Sequence, residues 1–262
     1  MEVLYGLHPV EEAVRSGSRR LDCVIFARER SDPKTERLAQ MCRAAGVRVS
    51  LEPRENLTRL SKTDTHQGVL ALVRERSYLG IEDLLAQKPG PSGYRFFLAL
   101  DGVEDPHNLG ALIRTADGAG VDGIVLPERR SAPVSATVAK SSAGASEHVR
   151  IARVTNLVRT LEQMKKANIW VLGLDERGTP DYTDYDFCSD CVLVLGREGA
   201  GLHDLVKKTC DHLLRIPMAG MVSSLNVSVA GAVVMYEAMR QRRTPAAVKP
   251  AASPKPRKGL GS

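Results

Sequence analysis

Aromatic residues are scarce in this chain: one Trp, six Tyr and four Phe among 262 residues. Gripping single-stranded bases by stacking needs several on one surface, and the first 80 residues offer only Tyr5, Phe26 and Tyr78. Long apolar runs are also missing. Nothing approaches the roughly 18 residues of a membrane-spanning helix, and Met1-Glu2-Val3-Leu4-Tyr5 lacks the basic and apolar segments of a signal peptide. A cytoplasmic protein without membrane contact is expected. The five cysteines are odd in number and scattered, which excludes a disulfide framework. There is no Walker A motif and no G-x-S-x-G.

What is present is enough apolar residue, 43% of the chain, for one large or two small cores. The formal net charge is +6, but it is unevenly spread. Residues 1–76 hold 14 Lys and Arg against 11 Asp and Glu, and residues 95–240 hold 16 against 18. Residues 241–262 hold six basic residues and no acidic one. The basicity therefore lies in the tail and weakly in the front, and charge alone does not assign a nucleic-acid partner.

Turn formers cluster over 77–94 around a short amphipathic patch, Ile81 to Leu85, which reads as a linker. Beyond Arg243 the Pro- and Ala-rich basic stretch 244–262 has almost nothing to bury and is expected to be disordered. The division predicted is a front domain over 1–76, the linker, a larger domain over 95–243, and the tail. In the front, helices are predicted at 8–16, 33–45 and 55–60 and strands at 21–27, 47–51 and 68–73, a small α/β sandwich. The larger domain alternates strands at 96–100, 123–126, 149–154, 169–174, 191–195 and 213–216 with helices. That pattern implies a parallel sheet covered on both faces, with ligands held in loops beyond the carboxyl ends of the strands.

Some motifs are decoys. Gly118 to Gly123 matches G-x-G-x-x-G but closes a helix and enters a strand, the reverse of the dinucleotide order. Cys188-Ser189-Asp190-Cys191 has no second pair or nearby His to complete a zinc site, so no metal is expected, and it reads as two reduced thiols. Asn56-Leu57-Thr58 and Asn226-Val227-Ser228 fit glycosylation sequons that have no use in a cytosolic protein.

Three post-strand loops remain: Asp101 to Ala116, Gly196 to Leu202, and Ile216 to Ala230. Glycines 196, 199 and 201 let backbone approach a ligand closely. Ile216, Met218 and Leu225 mixed with Ser223, Ser224 and Asn226 make the usual lining of a small-molecule pocket, suited to an uncharged or zwitterionic ligand with an adenine-like body. A helix starting near Leu109 would place Asn108 at its N-cap and let Asn108 and Arg114 face one cleft.

The segments N-L-G-A-L-I-R-T-A, G-R-E-G-A-G-L and I-P-M-A-G-M-V-S-S-L-N-V-S-V-A resemble, in order and spacing, the three signature motifs of the SpoU family of RNA ribose 2′-O-methyltransferases within the SPOUT superfamily. Leu4-Tyr5-Gly6 and Thr65-His66-Gln67-Gly68-Val69 resemble the substrate-binding domain that precedes it. The resemblance implies an L30e-like front domain that binds RNA, a catalytic sheet ending in a trefoil knot, S-adenosylmethionine as cofactor, and a homodimer with its site near the subunit interface. The substrate it points to is a 23S rRNA guanosine or a large-subunit assembly intermediate. The same chemistry on tRNA or another rRNA nucleotide, and a non-catalytic ribosome-assembly factor, stay open.

It also implies roles. Asn108, Arg114, Glu198, Ser224 and Asn226 would be catalytic; Gly196, Gly199, Ile216, Met218 and Leu225 would hold the cofactor. Deprotonating an arginine at pH 7 costs roughly 9 kcal/mol, so Arg114 is expected to stay charged, hold a phosphate and stabilise the developing 2′-oxyanion. Asn108 would orient the ribose or Arg114. Glu198 would anchor Arg114, accept the hydroxyl proton, or brace its loop through backbone N–H groups. Ser224 and Asn226 would contact the ribose or the cofactor, or cap the last helix. In the front domain Arg19, Arg20, Arg28, Arg30, Arg54 and Arg59 are candidates for phosphate contact.

Overall fold

The computed structural model describes residues 1–30 and 32–243; the expected tail over 244–262 lies outside them. The chain builds two sheets. The first contains β1 (Glu2–Tyr5), β2 (Leu21–Ala27), β3 (Val49–Glu52) and β4 (Val69–Val73) in the order β1-β4-β2-β3. Strands β1 and β2 run antiparallel to β4, and β3 runs parallel to β2. Helices α1 (Leu7–Ser16), α2 (Pro33–Ala44) and α3 (Arg54–Ser61) connect them. Helix α2 begins where Asp32 accepts hydrogen bonds from the Lys34 and Thr35 N–H groups while the Thr35 hydroxyl receives the Asp32 N–H, a reciprocal cap. The four residues of β1 are too few to show a period in the sequence; it is held by pairing with β4 and by burial of Leu4.

The second sheet has β5 (Phe96–Leu100), β6 (Gly123–Pro127), β7 (Ile151–Val154), β8 (Trp170–Leu174), β9 (Cys191–Leu195) and β10 (His212–Leu214). All pairs are parallel, in the order β10-β8-β9-β5-β6-β7. Strands β5 and β9 are wholly buried, as their uninterrupted apolar sequences require. From β5 the chain moves outward to β6 and β7, returns to β8, and then fills the gap with β9. The order therefore reverses between β5 and β9, the position where a parallel sheet opens a ligand crevice.

The stretch 77–94, read as a linker, is anchored. The Leu79 N–H donates to the Ile151 carbonyl, and Leu84 of helix α4 (Ile81–Leu85) is fully buried, its side chain filling the space that a Cβ on Gly123 would take. Turn formers dominate its composition, but the apolar face of Ile81, Leu84 and Leu85 covers the larger sheet. The other helices are α5 (Pro106–Gly118), α6 (Ala136–Ser141), α7 (Leu157–Lys166), α8 (Asp204–Thr209) and α9 (Val227–Arg243). Helix α9 lies on α5, with Gly231 leaving room for Leu112 and Leu195. Helix α6 also lies on α5, so closely that a side chain at Gly110 would overlap Ser141. No helix among the described residues is long and apolar enough to cross a membrane.

The two units meet at a buried charge cluster. Glu147 follows α6, and its side chain is fully buried. The Arg76 guanidinium donates to Glu147 Oε1 at 2.5 Å, and Arg19 Nη1 lies 3.5 Å from the same oxygen. Arg19 also pairs with Glu2 and donates to the Arg74 carbonyl, so it is a structural residue and not a free phosphate ligand. Beside the cluster the Ser18 hydroxyl donates to the Glu147 carbonyl, and His148 Nε2 lies 2.7 Å from Glu12.

A second buried polar residue is His66. The Gly68 N–H donates to its Nδ1, so the ring proton sits on Nε2, 3.0–3.1 Å chemistry that places Nε2 against the Thr58 hydroxyl. Burial first, then the charges of Arg54 and Lys140, hold its pKa below the ordinary histidine value. The unfolded chain takes up a proton near about 6.5 that folded His66 resists. Stability from this site is thus complete above that pH and lost as pH falls below it. The denaturation midpoint is expected to drop between pH 7 and 5 by less in His66→Gln than in the parent; an equal drop refutes the assignment. Removing the buried carboxylate in Glu147→Ala strands the buried Arg76 charge and leaves Arg19 to Glu2 alone, so unfolding free energy should fall by about 3–5 kcal/mol, read by denaturant titration. A change within experimental error would show that the cluster does not hold the units together.

Candidate active site

The loop after β9 doubles back on itself. The Arg197 N–H donates to the Gly201 carbonyl and the Gly201 N–H to the Arg197 carbonyl, at 3.0 and 2.9 Å. Gly199 and Gly201 take φ of 73° and 66°, left-handed values that favour glycine. A Cβ on Gly196 would overlap the Gly201 carbonyl and the Leu202 nitrogen, so the hairpin closes only over a glycine.

Beside this hairpin, beyond the carboxyl ends of β8 and β9, opens a cavity of about 390 Å³, a volume that suits a small ligand. Gly196, Gly199, Ile216, Met218 and Leu225 all line it, with Glu198 and Ser224. So does a wall that the sequence reading missed: Leu174 to Arg177 after β8, with Asp204 and Lys207 of α8. That loop carries no glycine signature; its position after a parallel strand was the available signal. Lys207 donates to Asp175 Oδ2 at 2.7 Å. Partial burial tends to raise the Asp175 pKa, but the Lys207 bond and the Arg177 N–H outweigh it and hold the carboxyl below its usual range. The cations of the wall are thus answered by carboxylates, which fits a ligand of balanced charge better than a polyphosphate.

At the edge of the cavity, three residues from three segments close a ring of hydrogen bonds. Asn108 Nδ2 donates to Glu198 Oε2 at 3.1 Å, Asn226 Nδ2 donates to Glu198 Oε1 at 3.1 Å, and Asn226 Nδ2 also donates to Asn108 Oδ1 at 3.0 Å. Asn226 Oδ1 accepts the Ser228 N–H and hydroxyl, so Asn226 caps α9 and joins the ring at once. Glu198 is braced by side-chain amides rather than by backbone N–H groups, and it has no bond to Arg114.

The expected N-cap at Asn108 is corrected. Asp105 caps α5 by accepting from the His107 and Asn108 N–H groups, and Pro106 opens the helix. Asn108 therefore sits in the first turn, buried, with its side-chain amide free to meet Glu198. The shared cleft for Asn108 and Arg114 is corrected as well. Six residues put them roughly 120° apart around a helix. Arg114 is exposed, does not line the cavity, and has no hydrogen bond or ion pair among the described residues. His107 is exposed. Among the described residues no group of three His, Cys, Asp or Glu is placed to hold a metal. Cys188 and Cys191 are free thiols, and burial pushes Cys191 up to about 12, which leaves it inert at neutral pH.

This geometry defines an α/β protein with a ligand crevice beyond the carboxyl ends of a parallel sheet and a polar constellation on its lip. Comparison with known proteins makes the class specific. Residues 95–236 match the SpoU rRNA Methylase family, and residues 3–79 match the RNA 2′-O ribose methyltransferase substrate binding family. The chain is 42% identical over 242 residues to the 23S rRNA (guanosine-2′-O-)-methyltransferase RlmB of Ralstonia nicotianae, covering 92% of this chain and 96% of that protein. Its fold matches the SpoU methyltransferase AviRb of Streptomyces viridochromogenes with a TM-score of 0.77 at 26% identity, over 92% and 89% of the two chains. An AdoMet-bound rRNA methyltransferase from Sinorhizobium meliloti matches with a TM-score of 0.75 at 30% identity, over 91% and 87%. The chain belongs to the SpoU family of RNA methyltransferases.

The hairpin supplies a test of the site's construction. Gly196→Ala forces a methyl group into backbone atoms that cannot rotate away. It is expected to lower unfolding free energy by about 1–3 kcal/mol in a denaturant titration, whereas Gly199→Ala meets open space and strains only the backbone. Equal effects would show that the hairpin is not closed as described.

Proposed function

We propose that this protein transfers a methyl group from S-adenosylmethionine to the 2′-hydroxyl of a guanosine ribose in the peptidyl-transferase region of 23S rRNA, acting as a homodimer. The observation that carries the reading is the Asn108–Glu198–Asn226 ring on the lip of the cavity. It joins all three signature loops at one point. Support for the substrate is the 42% identity to a 23S rRNA guanosine methyltransferase over 92% of the chain.

The residues present fit the cofactor. The cavity has the volume of a small-molecule site, a hairpin that Gly196 allows to close and whose backbone is exposed at Gly199, and an apolar wall of Ile216, Met218 and Leu225 for the adenine. Ser224 and the Asp175–Lys207 pair offer polar partners to a zwitterionic end. When bound, S-adenosylmethionine supplies a methyl group already activated for displacement by its sulfonium charge, so the chain has to position the ribose and make its hydroxyl nucleophilic. Glu198, fixed by two amides, presents a carboxylate at a set angle for the hydroxyl proton or for a donor that carries it. Asn108 and Asn226 hold that carboxylate and orient the sugar.

Arg114 stabilises the developing oxyanion while holding the neighbouring phosphate. It stands on α5, next to exposed apolar residues of α9. Val229 and Tyr236 lie two turns apart on that helix, and Tyr236 reaches α5 beside Gly118. A second copy laid on this face would cover the apolar residues and bring Arg114 to a site at the subunit boundary.

Purified protein, labelled S-adenosylmethionine and separate unmodified 23S rRNA and tRNA transcripts test the reading. Label is expected on one guanosine ribose of 23S rRNA. Arg114→Ala should reduce the rate about 100- to 1000-fold with cofactor affinity unchanged by calorimetry. Label on tRNA alone would overturn the substrate and keep the chemistry. Absence of cofactor binding would move the chain to an RNA-binding assembly factor.

A further inference from the structure

Residues 95–240 are slightly acidic in sum, yet several of their arginines stand without an acidic partner along one rim. Arg197, in the loop after β9, is exposed, and its side chain has no hydrogen bond or ion pair among the described residues. Its stem lies over Gly102, where a Cβ would come within 2.5 Å of Arg197 Cγ, so the guanidinium is directed by packing even though nothing neutralises it. Arg129 and Arg130, in the loop between β6 and α6, are exposed and equally unpartnered among the described residues.

Arg130 is also strained. It takes φ of 56°, a left-handed backbone where glycine or asparagine costs least. An exposed arginine kept there contributes nothing to packing that glycine would lack, which indicates a use for its charge.

Backbone contacts place these groups in sequence. The Ala132 N–H of the β6–α6 loop donates to the Val103 carbonyl, next to the Gly102 that Arg197 covers. From the same loop, α6 runs to the front unit, where the Tyr5 hydroxyl lies 3.3 Å from Thr137 Oγ1 and Lys140 Nζ donates to the Thr65 carbonyl. That 63–67 turn also receives the Arg54 guanidinium at the Asp64 carbonyl, and Lys62, exposed and unpartnered among the described residues, precedes it.

We infer that Arg197, Arg129 and Arg130 form a phosphate track that guides an RNA strand from the 63–67 turn of the front unit to the lip of the cavity. The inference rests on the RNA-methyltransferase reading and adds to it the path of the substrate over the catalytic unit. Free guanidinium groups recognise a polyanion through its phosphates, without base specificity. The two ends of the track are fixed relative to each other by the Glu147 cluster, so the strand meets a rigid surface.

The test uses the full chain and a transcript of the peptidyl-transferase region of 23S rRNA, with binding measured over a series of salt concentrations. In the double variant Arg129→Ala/Arg130→Gly, affinity is expected to fall about tenfold or more, and the slope of log K against log salt to become shallower by about 1–2. Glycine relieves the strain at position 130, so the thermal midpoint should not fall, which a structural role for Arg130 would require. S-adenosylmethionine affinity, read by calorimetry, should match the parent, because neither residue lines the cavity. Unchanged RNA affinity and slope in the variant, with the parent binding the transcript, would overturn the track alone. A parent that binds S-adenosylmethionine but shows no salt-dependent affinity for the transcript would overturn the RNA reading and the track with it.

Discussion

Two oxygens of Glu198 hold three distant stretches of chain together. One accepts from Asn108 near the start of α5, the other from Asn226 at the start of α9, and Glu198 itself sits in a hairpin that only Gly196 allows to close. These segments lie 90 and 28 residues from Glu198 in sequence, so no local preference could align them. A carboxylate with two amide donors has little rotational freedom left, and bonds to a charged group are the stronger kind. The hairpin and the stretch that leads into α9 also line the cavity. Its shape and the orientation of its polar lip are therefore set together, which is what preorganisation of a reacting site requires.

The same helix that carries Asn108 ties the site to the front unit. Ser141 of α6 occupies the space a side chain at Gly110 of α5 would need, and its hydroxyl donates to the Pro106 carbonyl. Helix α6 in turn touches Tyr5 and Thr65 of the front unit, and Glu147 just beyond it carries the buried pairs to Arg19 and Arg76. Contacts thus run without a gap from the front sheet to α5. Buried ion pairs add little net stability over apolar packing, but they tolerate only one geometry. That property suits a joint that must present RNA to a fixed point, as we propose it does.

Much of this architecture was legible in the sequence. The strands at 96–100 and 191–195 fall where continuous apolar runs place them, because burial on both faces leaves no room for polar interruption, and the strand at 21–27 falls where its run from Cys23 to Ala27 is buried. The three loops were legible because glycine and mixed polar residues after a strand have few structural uses. The start of α5 was misread because Asn108 drew attention as a cap, although Asp105-Pro106 is the stronger signal. Strand β1 was too short to show a pattern. The 174–177 wall went unseen because Asp175, Glu176 and Arg177 look like an ordinary solvated turn. Nothing local in the sequence marks Arg19, which reads there as a candidate phosphate contact, or Arg76 and Glu147 as buried; only their partners, more than 70 residues apart, make burial possible.

Net charge misdirects in a related way. Summed over the larger unit, acidic residues outnumber basic ones by 18 to 16, a sum that on its own argues against a polyanionic substrate. The structure shows why the sum is the wrong quantity. Asp175, Asp190 and Asp211 are matched with Lys207, Arg95 and Lys165 at 2.7–2.8 Å, and a matched pair projects little field beyond a Debye length. What a strand of RNA meets is the unmatched remainder. Along the rim of the crevice that remainder includes Arg129, Arg130 and Arg197. A protein can thus be acidic in composition and basic where it works, provided its carboxylates are already engaged in holding the fold.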